Sequence, residues 1–425
     1  MEQQAVFLPT SEMAEGLVGS EIIKLAGEIN TKIRNGETIY NFTIGDFDPK
    51  IFPIPAELKA AILQAYQNDH TNYPAGDGML ELRNAVAAYI ERYQGLRFAN
   101  NEILITGGAR PIIYTIYKVL LDSGDGVIYP TPSWNNNHYC HLMGAKQFYI
   151  ETTAENNFMP TAAEIAPFVK DAHLLALCSP LNPTGTTFTK EALIEICELV
   201  LEENKRRGTD KKPLYVMYDQ IYSLLTFDGI THVDPVSLFP EMRNYTIFVD
   251  GISKAFAATG VRVGWTFGPE RIIGKMKSVL GHIGAWAPKA EQVATAEYLV
   301  QNEAIDEYIV DFKHEIKARL QGFYDGLKNM KAAGFSVDAI PPQAAIYLTI
   351  KLDLVGKTTA NGVTLNATED VAAYVLNEAK VAIVPFYAFG SPRTLPWFRL
   401  SVGTTTQQDV QDAIASLRKA LEKLR

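Results

Sequence analysis

The chain has 425 residues, 47% hydrophobic and 20% charged, which is enough for two ordinary domains with buried cores and argues against disorder. Its 39 Lys and Arg against 48 Asp and Glu give a formal charge of −9, which disfavours a general affinity for nucleic acid or an anionic membrane, so any anion must be bound locally. Cys140, Cys178 and Cys197 are scattered without a CxxC pair, which suggests neither a disulfide framework nor a zinc site and fits a reducing cytoplasm.

The first segment, "MEQQAVFLPTSEMAEG", lacks the basic stretch and apolar core of a secretory signal, and no later apolar run has the length to span a bilayer; a soluble cytoplasmic protein is expected. Up to about Asn41 the pattern is helical, and this segment is expected to pack with the C-terminal part of the chain. Short apolar runs then alternate with longer amphipathic segments, the signature of βα units and an α/β domain: "EILIT" (102–106), "GVIYP" (126–130), "HLLALC" (173–178), "PLYVMYD" (213–219) and "YTIFVD" (245–250). Their nearly continuous hydrophobicity predicts strands buried on both faces. Residues 288–330 read as helix, followed by "IYLTIKLDL", "VAIVPF" and "WFRLSVG" among helical segments, a second and smaller α+β unit.

Ligands of an open parallel sheet bind beyond the carboxyl ends of its strands, so the residues after each run are read as one set. After "EILIT" comes "GGARP": Gly108, Ala109 and Arg110 offer backbone amides to an anion at a helix N-terminus, with Pro111 expected as the first helical residue. A plain tight turn explains this motif equally well when it is taken alone. Trp134 lies in the polar stretch "TPSWNNNHY", where its face can stack on a planar ring; a lone aromatic is more often a packing residue. In "SPLNPTG" the prolines fix Asn182 past its strand, either as a turn former or as an amide donor to an oxyanion. Asp219 ends a strand expected to be buried, where a carboxylate needs a cation or strong donor; a helix cap would explain Asp219 but not Tyr222 beside it. In "VDGISKAFAATGVRVGW", Lys254 sits among small residues that leave room for an adduct, with Arg262 further along. Alone, each of these cations would read as a solvated surface charge.

One ligand would engage the whole set: an anionic phosphate, a flat ring, a ring nitrogen wanting a carboxylate, a phenolic oxygen and an aldehyde. Pyridoxal 5′-phosphate has these features. Lys254 would take the aldehyde, Asp219 would keep the pyridine nitrogen protonated, and Asn182 with Tyr222 would face the ring oxygen.

These motifs resemble those of the class I/II aminotransferases of pyridoxal phosphate fold type I, over most of the chain. "SPLNPTG" is similar to the family's "NPTG" segment, "YDQIYS" to its "DEIY" segment, and "SKAFAATGVRVGW" to its lysine signature followed by an arginine. The resemblance implies a large cofactor-binding domain over 46–305, with a mostly parallel seven-stranded sheet flanked by helices, and a smaller α+β domain from 1–45 and 306–425. It implies that Lys254 binds the cofactor covalently, that Trp134 stacks, and that Gly108, Ala109, Arg110 and Arg262 hold the phosphate. "YNFTIGDFDP" resembles the N-terminal substrate loop, which brings Gly45 to the substrate carboxylate; Arg399 of "WFRLSVG" would grip that carboxylate in bidentate fashion. "NYPAGDGMLELRNAVAAYI" resembles the segment whose tyrosine, here Tyr73, reaches the phosphate of the neighbouring subunit, which implies a homodimer.

Three departures stand out. Gly251 replaces a serine common in the family, so a phosphate hydroxyl is missing or supplied by Ser253. Phe386 and Tyr387 stand where glycine and serine are common, and are expected to bring bulk to the active site. Lys50, in a loop longer than usual, is a candidate contact for an acidic side chain. The expected reaction is transamination, aspartate with 2-oxoglutarate being the first substrate pair and aromatic donors the alternative, with Lys254 as leaving group, base and acid in turn. A carbon–sulfur β-elimination can run on the same constellation. A cofactor-sensing regulator would need a DNA-binding module, and the N-terminal region shows no basic recognition helix.

Overall fold

Seven strands form the main sheet, in the spatial order Ile103–Thr106, Gly264–Phe267, Thr246–Gly251, Tyr215–Asp219, Ala172–Cys178, Gly126–Thr131 and Lys146–Glu151. The computed structural model from which this is taken describes residues 10–17, 19, 21–227 and 229–425; residues 1–9, on which part of the reading of the N-terminus rests, lie outside the described residues. Four neighbouring pairs are parallel, and Gly264–Phe267 runs antiparallel to both of its neighbours. The expected mostly parallel, seven-stranded sheet is therefore present.

Period-two alternation assigns the sheet's residues to two cores. Leu104, Val127, Leu174, Met217, Ile247 and Val249 point to one face. They meet the helices Ala109–Leu120 and Glu270–Ile283, whose Ile112, Ile116 and Leu120, and Ile272, Met276 and Leu280, recur at helical spacing. Ile103, Ile128, Leu175, Val216, Phe248 and Phe267 point to the opposite face. There the helix Lys190–Arg207, capped by the Thr189 hydroxyl, contributes Leu193, Ile196 and Val200.

The smaller unit is built on an antiparallel sheet of Val337–Ala339, Tyr347–Leu352, Trp397–Ser401 and Val384–Pro385. The helical stretch expected over 288–330 is two helices, Lys289–Leu299 and Asn302–Ala332, with Val300 and Gln301 between them. The second has 31 residues and passes from one core to another: Ile305 packs with the main sheet, whereas Phe312, Ile316, Leu320, Phe323 and Leu327 pack with the small sheet. At about 1.5 Å per residue this helix is roughly 46 Å long, enough to serve both.

The N-terminal segment is less helical than its pattern predicts. The helix Glu21–Arg34 gives way to a two-residue strand, Tyr40–Asn41, which pairs in parallel with Val381–Ala382. Gly36, at φ 86, turns the chain between them, a conformation that suits glycine. Ile29 packs with Leu376 and Ala382, so this segment is held by the C-terminal part of the chain.

Candidate active site

The parallel strands deliver their carboxyl ends to one edge of the sheet, and a cavity of about 480 Å³ lies beyond that edge. Ala109, Arg110, Trp134, Asn182, Asp219, Tyr222, Ser253, Lys254 and Arg262 line it from the large unit, and Gly45 and Arg399 from the other side. These residues span most of the chain, and only the fold brings them together.

Lys254 belongs to a short helix, Ile252–Ala255, that follows directly on the strand ending at Gly251. Its Nζ donates a hydrogen bond to the Gly45 carbonyl at 2.7 Å. Burial lowers its pKa to about 8, with Asp46 opposing the change and the Arg399, Arg110 and Arg262 guanidiniums adding to it. With that value about a tenth of the amine is neutral at pH 7, far more than for an ordinary lysine.

Asp219 ends its strand facing the cavity. Its Oδ1 accepts from the Ile221 amide at 3.1 Å, and no cation pairs with it among the described residues. Burial raises its pKa to about 6. A half-buried carboxylate with so few donors is a site for an external one. The Tyr222 hydroxyl lies 2.6 Å from that of Tyr347, and burial pushes the Tyr222 phenol well up.

The anion end is formed where Gly108, at φ 92, caps the helix Ala109–Leu120. A Cβ on Gly108 would stand 2.2 Å from Arg262 Nη2, so glycine is what lets that guanidinium lie against the helix start. Arg262 donates from Nη1 to the Thr259 carbonyl at 2.7 Å and from Nη2 to the Gly107 carbonyl at 2.9 Å. Pro111 is the third residue of this helix, not the first as expected; it still falls in the first turn, where a missing N–H costs no helical bond. Arg110 stands over the Trp134 ring at 5.5 Å.

Arg399 sits in the middle of the strand Trp397–Ser401, opposite Thr349 on one side and Val384 on the other, and is 2% exposed. It donates to the Thr43 carbonyl at 2.5 Å and to Asn182 Oδ1 at 3.2 Å. Its buried Nε has no hydrogen-bond partner among the described residues. A Cβ on Gly45 would come 2.8 Å from the Tyr347 hydroxyl and 3.6 Å from Arg399 Nη1, which explains glycine there.

Several expectations need correction. Phe386 is fully buried against Phe158 in a separate cluster, and Tyr387 lines a different, smaller hollow with its ring under Arg393; neither borders the main cavity. Both belong to the short helical turn Phe386–Phe389. Lys50 is exposed and also lies outside the cavity lining. At Gly251 a Cβ would meet backbone of the adjacent strand, 2.8 Å from Gly264 Cα and 2.9 Å from the Val263 carbonyl oxygen, so the space for a serine is closed. Tyr73 is 83% exposed, stacks edge-on with Trp286 and does not reach this chain's own cavity. The sequence reading missed Asp46, Tyr347 and Thr259, and the apolar Ile22 and Ala26 that the N-terminal helix brings to the cavity. A tyrosine at the head of the buried run "IYLTI" was the available sign of Tyr347.

The donor set fits pyridoxal 5′-phosphate: a helix N-terminus with Arg262 for the phosphate, an underdonated, half-buried carboxylate for the ring nitrogen, and a low-pKa amine for the aldehyde. Residues 37–417 match the family model described as aminotransferase class I and II. An aspartate aminotransferase of Bacillus subtilis is 30% identical over 375 residues, covering 88% of this chain and 89% of the relative. The crystal structure of an aspartate aminotransferase from Rhizobium meliloti superposes with a TM-score of 0.89 at 28% identity, covering 99% of this chain and all of that one. An aromatic aminotransferase from Pyrococcus horikoshii gives a TM-score of 0.81 at 25% identity over 93% of this chain and 98% of its own. The chain belongs to the class I and II aminotransferases and is a pyridoxal 5′-phosphate-dependent transaminase.

Proposed function

We propose that this enzyme moves the amino group of L-aspartate to 2-oxoglutarate, with Lys254 as its acid–base residue. The observation that carries the reading is the meeting of Lys254, Asp219 and Arg399 in one cavity. The aspartate aminotransferases among the similar proteins support the choice of donor.

When bound, the cofactor supplies the electron sink that makes the substrate's α-proton labile. The chain's own residues do the rest. Arg399, oriented by Thr43 and Asn182, offers its guanidinium to the substrate carboxylate. Asp219 would hold a proton on the ring nitrogen of the cofactor, Asn182 and Tyr222 would face its ring oxygen, and Trp134 would cover the ring. The Gly108, Ala109 and Arg110 amides, the Arg262 side chain and Ser253 would hold the phosphate. Lys254 takes the α-proton at Nζ and gives it back on the other side of the reaction, which is why no histidine is needed.

Tyr73 completes the cofactor site of a second subunit in a homodimer; its exposure and its place beside Trp286, away from its own cavity, support this. The division into a cofactor domain over 46–305 and a small domain from 1–45 and 306–425 belongs to the same proposal, as does a cytoplasmic location, which the three free thiols suit. Among the described residues no helix is long and apolar enough to cross a membrane.

One observation favours a second donor class: Ile22, Ala26 and Ile44 give the cavity an apolar flank suited to an aromatic side chain. Adding single amino acids to the loaded enzyme without acceptor and following the cofactor absorbance separates the two, because only true donors convert it. Lys254→Ala is expected to abolish turnover while the protein still binds the cofactor noncovalently; full activity in that variant would overturn the assignment.

A further inference from the structure

Four cationic side chains line the cavity, Arg110, Lys254, Arg262 and Arg399, but only two acids, Asp219 and Asp46. Asp219 has a place at the ring nitrogen; Asp46 has none in the reading above. Asp46 follows Gly45, whose carbonyl accepts from Lys254 Nζ, so its carboxylate stands one residue from the amine's own contact. Its Oδ1 accepts from Thr259 Oγ1 at 2.6 Å and from the Phe47 amide at 2.8 Å. Its backbone is fixed too, since a Cβ on Gly403 would come 2.1 Å from the Asp46 carbonyl oxygen. Thr259 in turn lies on the loop between Lys254 and Arg262, and its carbonyl accepts from Arg262.

The groups facing Lys254 come from every side. Arg399 arrives from the small sheet, Arg110 from the helix after Gly108, and Arg262 from the loop that follows the lysine. The Tyr222 and Phe47 rings lie 6.0 and 5.8 Å from Nζ, and Asp46 arrives from the N-terminal loop. Burial and three guanidiniums all favour the neutral amine, which can accept a proton only if the ammonium form is also tolerated.

We propose that Asp46 is a positioning residue for the transamination: clamped by Thr259, its carboxylate offsets the three guanidiniums and lets Lys254 take up the substrate's α-proton and return it. This rests on the reading of Lys254 as the acid–base group. Asp46 exchanges no proton; the proton passes from carbon to Nζ and back. Its value is electrostatic, and it acts through Lys254 without touching the substrate.

Asp46→Asn tests this directly, because the amide oxygen can still accept from Thr259 and Phe47 while the charge is lost. Competitive acylation of Lys254 in cofactor-free protein, followed by peptide mass spectrometry from about pH 6 to about pH 10, reads the amine's midpoint without any turnover. The parent midpoint should fall near 8. Asp46→Asn should lower it by about one unit, and Asp46→Glu should restore it. Thr259→Val, which frees the carboxylate without removing it, should give a smaller shift in the same direction and covers the case in which the Asn variant fails to fold. In the loaded enzyme the pH profile of the half-reaction with L-aspartate should move the same way. An unchanged or raised midpoint in Asp46→Asn, or equal losses in the Asn and Glu variants without a pH shift, would overturn the proposal. Failure of every amino acid to react with the parent enzyme would instead sink the functional reading, and the labelling experiment would still decide about Asp46.

Discussion

Gly251→Ser restores the residue that the family pattern leads one to expect, and the structure predicts harm from it. Gly251 pairs with Gly264 across antiparallel strands, and a Cβ at 251 would lie 2.8 Å from Gly264 Cα and 2.9 Å from the Val263 carbonyl oxygen. Both obstacles are backbone, so no side chain can swing aside; the strands must part by several tenths of an ångström. Overpacking of this kind costs about 1–3 kcal/mol. The helix that carries Lys254 begins at the next residue, Ile252, so the displacement passes to Nζ and cofactor affinity should fall together with stability. Gly268→Ala is the control: its Cβ would come 2.7 Å from the Thr246 carbonyl, on the same strand pair but remote from the cavity. Urea unfolding of both variants, with fluorescence titration of the cofactor, separates the effects. Both should lose stability, and only Gly251→Ser should also lose cofactor affinity, by roughly tenfold if about 1.4 kcal/mol of the strain is expressed at the lysine. A Gly251→Ser protein as stable as its parent that binds the cofactor more tightly would show the reasoning to be wrong.

Asp219→Asn should be more stable than the cofactor-free parent at about pH 8, by roughly 3 kcal/mol. The Asp219 pKa in the fold, about 6, lies above the ordinary 3.8, so the stability it contributes is complete below the ordinary value and is lost as pH rises through about 6. The advantage of the Asn variant should therefore shrink as pH falls through that range, and urea titrations at several pH values would show it; a pH-independent gap would contradict the linkage. Tyr387→Ser, despite restoring a common family residue, should change the ratio of kcat/KM for aromatic and acidic donors by less than about threefold, since Tyr387 lies outside the cavity lining. A larger change in a donor panel would put that side chain back at the site.

What could be read from the sequence followed from how much physics each segment carries locally. The five apolar runs became strands because burial on both faces requires continuous hydrophobicity, and that pattern has few other uses in a short segment. Lys146–Glu151 escaped because it is an edge strand, with Ile150 its one buried residue and charged residues at both ends. Gly264–Phe267 escaped because four residues next to a functional loop leave no periodicity to count. Lys254, Asp219, Asn182 and Arg110 were legible because strand ends of a parallel sheet converge by rule. Asp46 and Thr259 were not, because their contact joins residues far apart in the chain, and nothing in either segment signals the other. Phe386 and Tyr387 were misplaced for a related reason: adjacency in sequence to a site says little about direction when a single turn intervenes.

The partners of the arginines distinguish those that hold the fold from those that hold a ligand. Arg207, 7% exposed, spends its charge on Glu203 at 2.7 Å and three more of its donors on the carbonyls of Val169, Ala172 and Lys212, so its charge is already matched within the fold. Arg262 and Arg399 are also fixed in place, but by neutral acceptors: the carbonyls of Thr259, Gly107 and Thr43 and the amide oxygen of Asn182. A carbonyl aims a guanidinium without cancelling its charge, whereas a carboxylate would do both. Counting the lining side chains, four cations against two acids leave the cavity with a formal charge of +2, in a chain whose whole charge is −9. A cavity that keeps oriented, uncompensated positive charge within an acidic protein is arranged for anions brought from outside, and a phosphate together with an α-carboxylate is the pair for which this one has separate receivers.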